Sequence, residues 1–148
     1  IFLAFIIFLI GAIGIAQLER IDEFVEIKRA NGVRYRELLH QIPGIRGQIE
    51  KPWAKMVYWM YAVELDESTG WDAEKMMAEL FSRGVETRPF FIGLHEQPAL
   101  LDKGLYRNEE FPVTYNSSRQ GFYLPSSMSL TDTQINFVVD QIKDILEV

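Results

Sequence analysis

The chain has 148 residues, of which 48% are hydrophobic, and a formal net charge of −6 at pH 7. This length suits one domain with a single core, and the acidic balance argues against nucleic-acid binding, which needs Lys and Arg to neutralise phosphates. The absence of cysteine excludes disulfides and thiolate metal sites and fits a cytoplasmic protein. The two histidines, His40 and His95, are far apart in the sequence, which argues against a histidine metal site.

Residues 1–10 are entirely apolar. A secretory signal peptide would begin with a basic region, and none precedes the apolar run. A transmembrane helix needs about 20 apolar residues, whereas the run here ends at Ala16 and contains Gly11 and Gly14. A membrane anchor stays open as one explanation of this segment.

Residues 11–40 carry apolar side chains at helical spacing, with charged residues on the other faces, and they predict one long helix. Asn31 and Gly32 interrupt the pattern and predict a kink or a weak point in the helix, because glycine inside a helix costs roughly 1 kcal/mol relative to alanine. His40 would then lie at the C-terminal end of the helix, as a capping cation or a surface residue.

Residues 41–55 are rich in proline and glycine and predict a loop. Residues 56–65 are rich in aromatic and β-branched residues and predict a central strand. Trp59 and Tyr61 could line a ligand site, but packing in the core is the favoured interpretation for both. Residues 72–83 have helical periodicity and predict a second helix. The predicted apolar stripe of that helix consists of Met76, Met77, Leu80 and Phe81, and Asp72 would stabilise its N-terminus.

Residues 84–95 read G-V-E-T-R-P-F-F-I-G-L-H and hold the densest set of function-like side chains. The first glycine is a natural helix stop, and Pro89 removes an amide donor and favours extended geometry at Arg88. Arg88 is therefore predicted at the end of a short edge strand. A guanidinium there can bind a carboxylate or a phosphate with two hydrogen bonds, and Phe90 and Phe91 can wall a pocket. The alternative is an arginine on a rim and two core phenylalanines.

Residues 122–124 predict another short strand, which a proline ends. Thr131 and Gln134 occupy the N-cap and capping-box positions of a predicted last helix. The predicted order is a long helix, a strand, a helix, a short strand, coil, a strand and a helix. That order indicates an α+β fold, with a small antiparallel or mixed sheet and helices on one face.

Four stretches together resemble the DegT/StrS-type sugar-nucleotide aminotransferases. They are A-I-G-I-A-Q-L-E-R-I at residues 12–21, Y-W-M-Y at 58–61, G-V-E-T-R-P-F-F-I-G-L-H-E-Q-P from 84, and G-F-Y-L-P-S-S from 121 with L-T-D-T-Q-I after it. Their order and spacing are specific, and the likeness runs from residue 11 to residue 148. The resemblance implies the small C-terminal domain of an aspartate-aminotransferase-like (fold type I) enzyme that uses pyridoxal phosphate (PLP).

The resemblance also implies a division of the chain: an aberrant hydrophobic edge at residues 1–10, a long inter-domain helix at 11–40, and the small domain at 41–148. In the family, an asparagine before the long helix reaches the cofactor phosphate of the partner subunit, whereas residues 3–5 here read Leu-Ala-Phe. We therefore expect an N-terminal edge altered by truncation or frameshift, with a membrane anchor as the alternative. We expect no cofactor contact from this chain.

The reaction implied by the resemblance is amino transfer from glutamate to a 4-keto-6-deoxy sugar nucleotide, for surface polysaccharide synthesis. The family works as a homodimer with its active site at the subunit interface. By their place in the motif, the substrate-binding residues would be Arg88, Phe90, Phe91 and His95. Arg88 would hold a carboxylate or phosphate, the two phenylalanines would wall the sugar, and His95 would donate a hydrogen bond.

The family's PLP lysine lies in a large N-terminal domain. The six lysines of this chain match no such context and are expected to be solvated; they are Lys28, Lys51, Lys55, Lys75, Lys103 and Lys143. We therefore expect no catalytic residue in this chain and no transaminase activity from it alone. Two other classes stay open: a non-catalytic α+β binding module that uses the cleft at Arg88, and a membrane-anchored accessory protein.

Overall fold

The computed structural model describes residues 2–148, with side chains described from residue 6 onwards. The helices are α1 Phe2–Leu18, α2 Ile21–Leu39, α3 Ala73–Ser82, α4 Pro98–Leu101, α5 Pro112–Gln120 and α6 Asp132–Leu146. The strands are β1 Ile45–Gly47, β2 Tyr61–Leu65, β3 Arg88–Pro89 and β4 Gly121–Leu124. The sheet order is β1-β2-β4-β3, and every neighbouring pair is antiparallel. The predicted α+β class is confirmed, although β1 lies inside the stretch predicted as a loop.

The core lies on one face of this sheet. Along β2 the residues Tyr61, Val63 and Leu65 are buried, and β4 places Phe122 opposite Val63. Helices α2, α3 and α6 cover this face with the buried side chains Tyr35, Leu39, Met76, Leu80, Ile135, Val139 and Ile142. Burying a large apolar side chain stabilises a fold by about 1.5–3 kcal/mol, so these contacts hold the three helices on the sheet.

The predicted long helix consists of two helices. The break lies at Arg20, between α1 and α2, whereas α2 continues through Asn31 and Gly32, where a kink or weak point was predicted. Gly32 is buried, and a Cβ atom there would collide with the ring of Tyr58. The glycine is therefore needed for close packing, and this contact offsets its low helix propensity.

Residues 56–65 were predicted to form one strand, but only the second half of this stretch does so, as β2. Before β2, side chains bind the backbone groups that a sheet would use. The Met56 amide donates to Glu50 Oε1 at 2.9 Å, and the Arg29 guanidinium donates to the Met56 carbonyl. Tyr58 has a φ of 48°, which no regular strand contains. The prediction was wrong there because residues distant in sequence bind this stretch.

The local signals for helix ends are confirmed. The Asp72 carboxylate accepts a hydrogen bond from the Lys75 amide at 2.8 Å, which caps α3. Thr131 and Gln134 form the predicted capping box at the start of α6. Phe81 is the exception in α3, because its side chain is exposed rather than part of the buried stripe.

Helix α1 is apolar, and its side chains from Ile7 to Leu18 are exposed. Across residues 2–148, no helix combines the length and the apolar character that crossing a bilayer requires. Ile1, the first residue of the apolar run, lies outside the described residues.

Candidate functional site

The segment that follows α3 brings Arg88 to the open edge of the sheet. Gly84 has a φ of 83°, the left-handed conformation that ends many helices. The Val85 amide then donates to the Leu80 carbonyl at 2.9 Å, and the Val85 side chain is buried. The chain next forms β3, whose one partner strand within residues 2–148 is β4. The predicted edge strand is confirmed, and Pro89 suits it because proline has no amide to leave unpaired.

The Arg88 guanidinium is available to a ligand. Its side chain is 74% exposed, and Nη2 lies 3.7 Å from Oε1 of Glu86, which is equally exposed. An exposed ion pair of this kind contributes about 0–1 kcal/mol. A carboxylate or phosphate that accepts two hydrogen bonds from the guanidinium can therefore replace Glu86.

Tyr123 is the centre of an aromatic cluster next to Arg88, its partner in the strand register. The ring centroids of Phe90 and Phe91 lie 4.7 and 6.3 Å from that of Tyr123. Phe91 is 74% exposed, and Phe90 is half-buried, with its ring over Gly121. Neither phenylalanine belongs to the core, so the alternative of two core phenylalanines is wrong.

A groove of about 750 Å³ opens beside Arg88. It lies between the segment after α3, the end of β4, the loop before β2 and the first half of α6. The residues that line it include Lys28, Trp59, Glu86, Arg88 and Tyr123. The groove therefore joins the predicted arginine to residues from four distant parts of the chain.

Lys28, on α2, forms hydrogen bonds with two of the loops that line the groove. Its Nζ donates to the Trp59 carbonyl at 3.0 Å, to Ser126 Oγ at 3.3 Å and to the Ser126 carbonyl. Burial lowers the pKa of Lys28 below its usual value. The prediction that this lysine is solvated was wrong, because its partners are 31 and 98 residues away in sequence.

Two residues of the groove were missed or misplaced by the sequence analysis. Core packing was favoured for Trp59 over a place in a ligand site, but Trp59 is 68% exposed, whereas Tyr58 and Tyr61 are buried. Tyr123 was not singled out at all. The alternation of side chains along a strand could have indicated its position. Tyr123 lies between the core residues Phe122 and Leu124 of β4 and must therefore face away from the core.

His95 does not line this groove. It lies in the 3-10 turn Leu94–Glu96, and 15% of its side chain is exposed. Its ring centroid is 4.9 Å from that of Phe111, and Nε2 is 3.6 Å from Glu96 Oε1. Arg119 hydrogen-bonds the other oxygen of Glu96, which raises the pKa of Arg119. The structure thus places Arg88, Phe90 and Phe91 around Tyr123 and His95 near the start of α5. Of these four predicted site residues, Arg88 lines the groove, and Phe90, Phe91 and His95 do not.

A PLP site needs a free lysine amine, an acidic partner for the pyridine nitrogen and a cradle for the phosphate. The Lys28 amine is already hydrogen-bonded to the protein. The other lysines, Lys51, Lys55, Lys75, Lys103 and Lys143, are exposed or partly exposed. These are the environments of the six lysines within residues 6–148. The same part of the chain contains no group of three or more His, Cys, Asp or Glu side chains placed to hold a metal ion.

The architecture is that of the sugar aminotransferases. It is similar to the aminotransferase TlmJ from Streptoalloteichus hindustanus, with 28% sequence identity and a TM-score of 0.77, over 91% of this chain and 35% of that one. It is also similar to DesI in the presence of its TDP-sugar product, with 27% identity and a TM-score of 0.77, over 90% of this chain and 34% of that one.

The sequence model of the DegT/DnrJ/EryC1/StrS aminotransferase family matches residues 9–143, and the chain belongs to this family. Its members are PLP-dependent sugar aminotransferases. GDP-perosamine synthase of Vibrio cholerae is 32% identical over 136 residues, which are 92% of this chain and 36% of that protein. EpsN of Bacillus subtilis, provisionally named a pyridoxal phosphate-dependent aminotransferase, is 30% identical over 89% of this chain and 34% of its own length. The resemblance found in the sequence is confirmed, and the chain spans about a third of the length of these relatives.

Proposed function

We propose that this chain is the small C-terminal domain of a PLP-dependent aminotransferase that aminates a 4-keto-6-deoxy sugar nucleotide, as a GDP-perosamine synthase does. The amino group would come from glutamate, and the product would enter surface polysaccharide synthesis. The observation that carries this proposal is the exposed Arg88 guanidinium at the sheet edge, beside the rings of Phe90, Phe91 and Tyr123 and an open groove.

Arg88 would bind the anionic part of a substrate, either a phosphate of the sugar nucleotide or a carboxylate of the amino donor. Both anions present paired oxygens that match the two parallel N–H groups of a guanidinium. Its present partner, Glu86, is held across an exposed gap of 3.7 Å and is readily displaced. The half-buried charge of Lys28 adds to the positive potential of the groove.

Phe90 and Phe91 would wall the sugar. A sugar ring carries apolar C–H faces, and aromatic rings bury such faces without demanding hydrogen bonds. Phe91 has the exposed area for this contact, and Phe90 supports it through Tyr123. We retain His95 as a proposed hydrogen-bond donor to substrate, from the turn that follows these rings.

PLP, when bound, carries the amino group from the donor to the keto carbon of the sugar. Because the six lysines of this chain match no cofactor context in the sequence, we propose that another part of a longer protein holds the cofactor. This chain would then supply one wall of the substrate cleft. We further propose that the complete enzyme is a homodimer whose subunits share the active site.

The proposal is tested with a fusion of this chain to the part of the Vibrio cholerae GDP-perosamine synthase that it does not match. The fusion is expected to bind PLP and to aminate GDP-4-keto-6-deoxy-D-mannose with glutamate as donor. The chain alone, assayed beside it, is expected to show no turnover. Gel filtration of the fusion is expected to give a dimer.

The proposal is contradicted by a fusion that is dimeric and binds PLP, yet aminates small keto acids and not the sugar nucleotide. Turnover by the chain alone would refute the expectation that the cofactor lysine lies elsewhere. PLP absorbance and circular dichroism of the fusion show whether it is folded before activity is compared.

A further inference from the structure

Trp59 is an exposed indole on a backbone that is held in place. The residue is 68% exposed, yet its carbonyl accepts hydrogen bonds from Lys28 Nζ at 3.0 Å and from Ser126 Oγ at 3.3 Å. An aromatic ring left in water adds little to the stability of the fold, since its apolar area is not buried. A ring whose backbone is fixed is, however, preorganised to bind a partner.

Tyr58 sets the direction of Trp59. Buried Tyr58 and Tyr61 are three positions apart, which a regular strand cannot place on one face. The φ of 48° at Tyr58 makes this possible, and its ring packs onto Gly32. Backbone conformations of this kind are costly and persist where the surrounding structure requires them, often at ligand sites. The consequence here is that Trp59 is exposed rather than part of the core, at a position that lines the groove.

Trp59 and Arg88 line the same groove. Its charged residues are Lys28, Glu86 and Arg88, so the lining is positive on balance. A ligand that fits carries a flat aromatic part for the indole and a negative part for the guanidinium. Nucleotides combine these two features, because every base has a π face and every phosphate matches an arginine fork.

We propose that Trp59 stacks on the nucleobase of a nucleoside diphosphate whose phosphates bind Arg88. This inference rests on the proposed function and identifies the part of the sugar nucleotide that the groove recognises. Because stacking tolerates different bases, Trp59 would contribute affinity for the nucleotide rather than selectivity between bases.

The test is isothermal titration calorimetry of this 148-residue chain with GDP and, separately, with inorganic pyrophosphate. GDP is expected to bind more tightly than pyrophosphate. Trp59→Ala is expected to weaken GDP binding about tenfold, in the range of base–aromatic stacking, and to leave pyrophosphate binding unchanged. Trp59→Phe keeps a ring and is expected to retain most of the GDP affinity.

Trp53→Ala is the matched control. Trp53 is 84% exposed and lies in the same loop, but it does not line the groove. This variant is expected to bind GDP as the unchanged chain does. Thermal unfolding followed by circular dichroism confirms that all three variants are folded.

The inference would be overturned by equal loss of GDP affinity in the Trp53 and Trp59 variants, by GDP binding no tighter than pyrophosphate, or by no GDP binding at millimolar concentration. A change in oligomeric state on Trp59→Ala, without a change in GDP affinity, would show that the indole contacts a second copy instead. An active fusion enzyme that is indifferent to Trp59→Ala disproves this inference alone. A folded, PLP-bound fusion that binds GDP through Trp59 but does not aminate the sugar nucleotide disproves the proposed function alone.

Discussion

Arg88 lies directly opposite Tyr123 in the antiparallel pairing of β3 with β4. Opposed residues of an antiparallel pair project from the same face of the sheet, so the guanidinium and the phenol ring share the face opposite the core. Phe90, two positions after Arg88, shares that face and packs against Tyr123. The register of one short strand pair therefore positions both the charge and the rings of the candidate site.

Tyr123→Ala is expected to lower the free energy of unfolding by about 1–2 kcal/mol, because aromatic pairs each contribute about 0.5–1.5 kcal/mol beyond area burial. Tyr123→Phe keeps the ring contacts with Phe90 and Phe91 and is expected to stay close to the unchanged chain. Urea denaturation of both variants gives the comparison. An alanine variant as stable as the phenylalanine variant would show that the cluster does not hold the segment after β3.

Gly32→Ala is expected to destabilise the chain by about 1–3 kcal/mol, the usual cost of overpacking a filled site. The added methyl group would collide with the Tyr58 ring and displace the turn that orients Trp59. Gly11→Ala in α1 is the control, since a Cβ atom there meets nothing within 4 Å. This control is expected to be neutral or slightly stabilising, because alanine is the better helix former. Equal stability of the two variants, measured by urea denaturation, contradicts the packing described at Gly32.

Glu50 is one of the carboxylates that make stability depend on pH. Its carboxylate accepts hydrogen bonds from Arg29 Nη1 at 2.7 Å and from the Met56 amide at 2.9 Å. The hydrogen bond from Arg29 has the largest effect and that from the Met56 amide the next largest, and together they hold the pKa of Glu50 below its usual 4.5. The folded chain therefore binds fewer protons than the unfolded chain near this pH. The resulting stabilisation is present above pH 4.5 and is lost as the pH falls towards the lowered pKa.

Glu50→Gln is accordingly expected to reduce the loss of stability between about pH 5 and pH 3. Urea denaturation at intervals across that range measures the slope for the variant and for the unchanged chain. The control is Glu109→Gln, at an exposed glutamate, which is expected to leave the slope as it is. A slope that is the same in all three proteins would refute the role given to Glu50.

Features that depend on neighbours in sequence were predictable. The caps at Asp72 and Thr131 and the helix stop at Gly84 need only a few adjacent residues, and the structure contains all three. The edge position of Arg88 was also predictable, because Pro89 follows it and removes an amide that a central strand would need. These signals located the segment on which the candidate site is built.

Features that depend on distant residues were not predictable from the local pattern. The apolar stretch before β2 reads as a strand, but Lys28, Arg29 and Glu50 bind its backbone from other parts of the chain. Gly32 reads as a helix breaker until the Tyr58 ring that packs on it is known. The exposed position of Trp59 follows from the hydrogen bonds to this backbone and from the packing of Tyr58 on Gly32. No pattern within residues 56–65 indicates it.

The role of Arg88 is tested by kcat/KM of the fusion enzyme for GDP-4-keto-6-deoxy-D-mannose. Arg88→Ala is expected to lower kcat/KM by about 10- to 100-fold, since hydrogen bonds to a charged group contribute about 1.5–3 kcal/mol. Arg88→Lys is expected to recover only part of the loss, because an ammonium lacks the two parallel donors. Glu86→Gln removes only the negative charge that the substrate would displace from Arg88, and it is expected to cause no decrease in kcat/KM. A folded, PLP-bound Arg88→Ala enzyme with unchanged kcat/KM would contradict the assignment of this sheet edge as the substrate-binding wall.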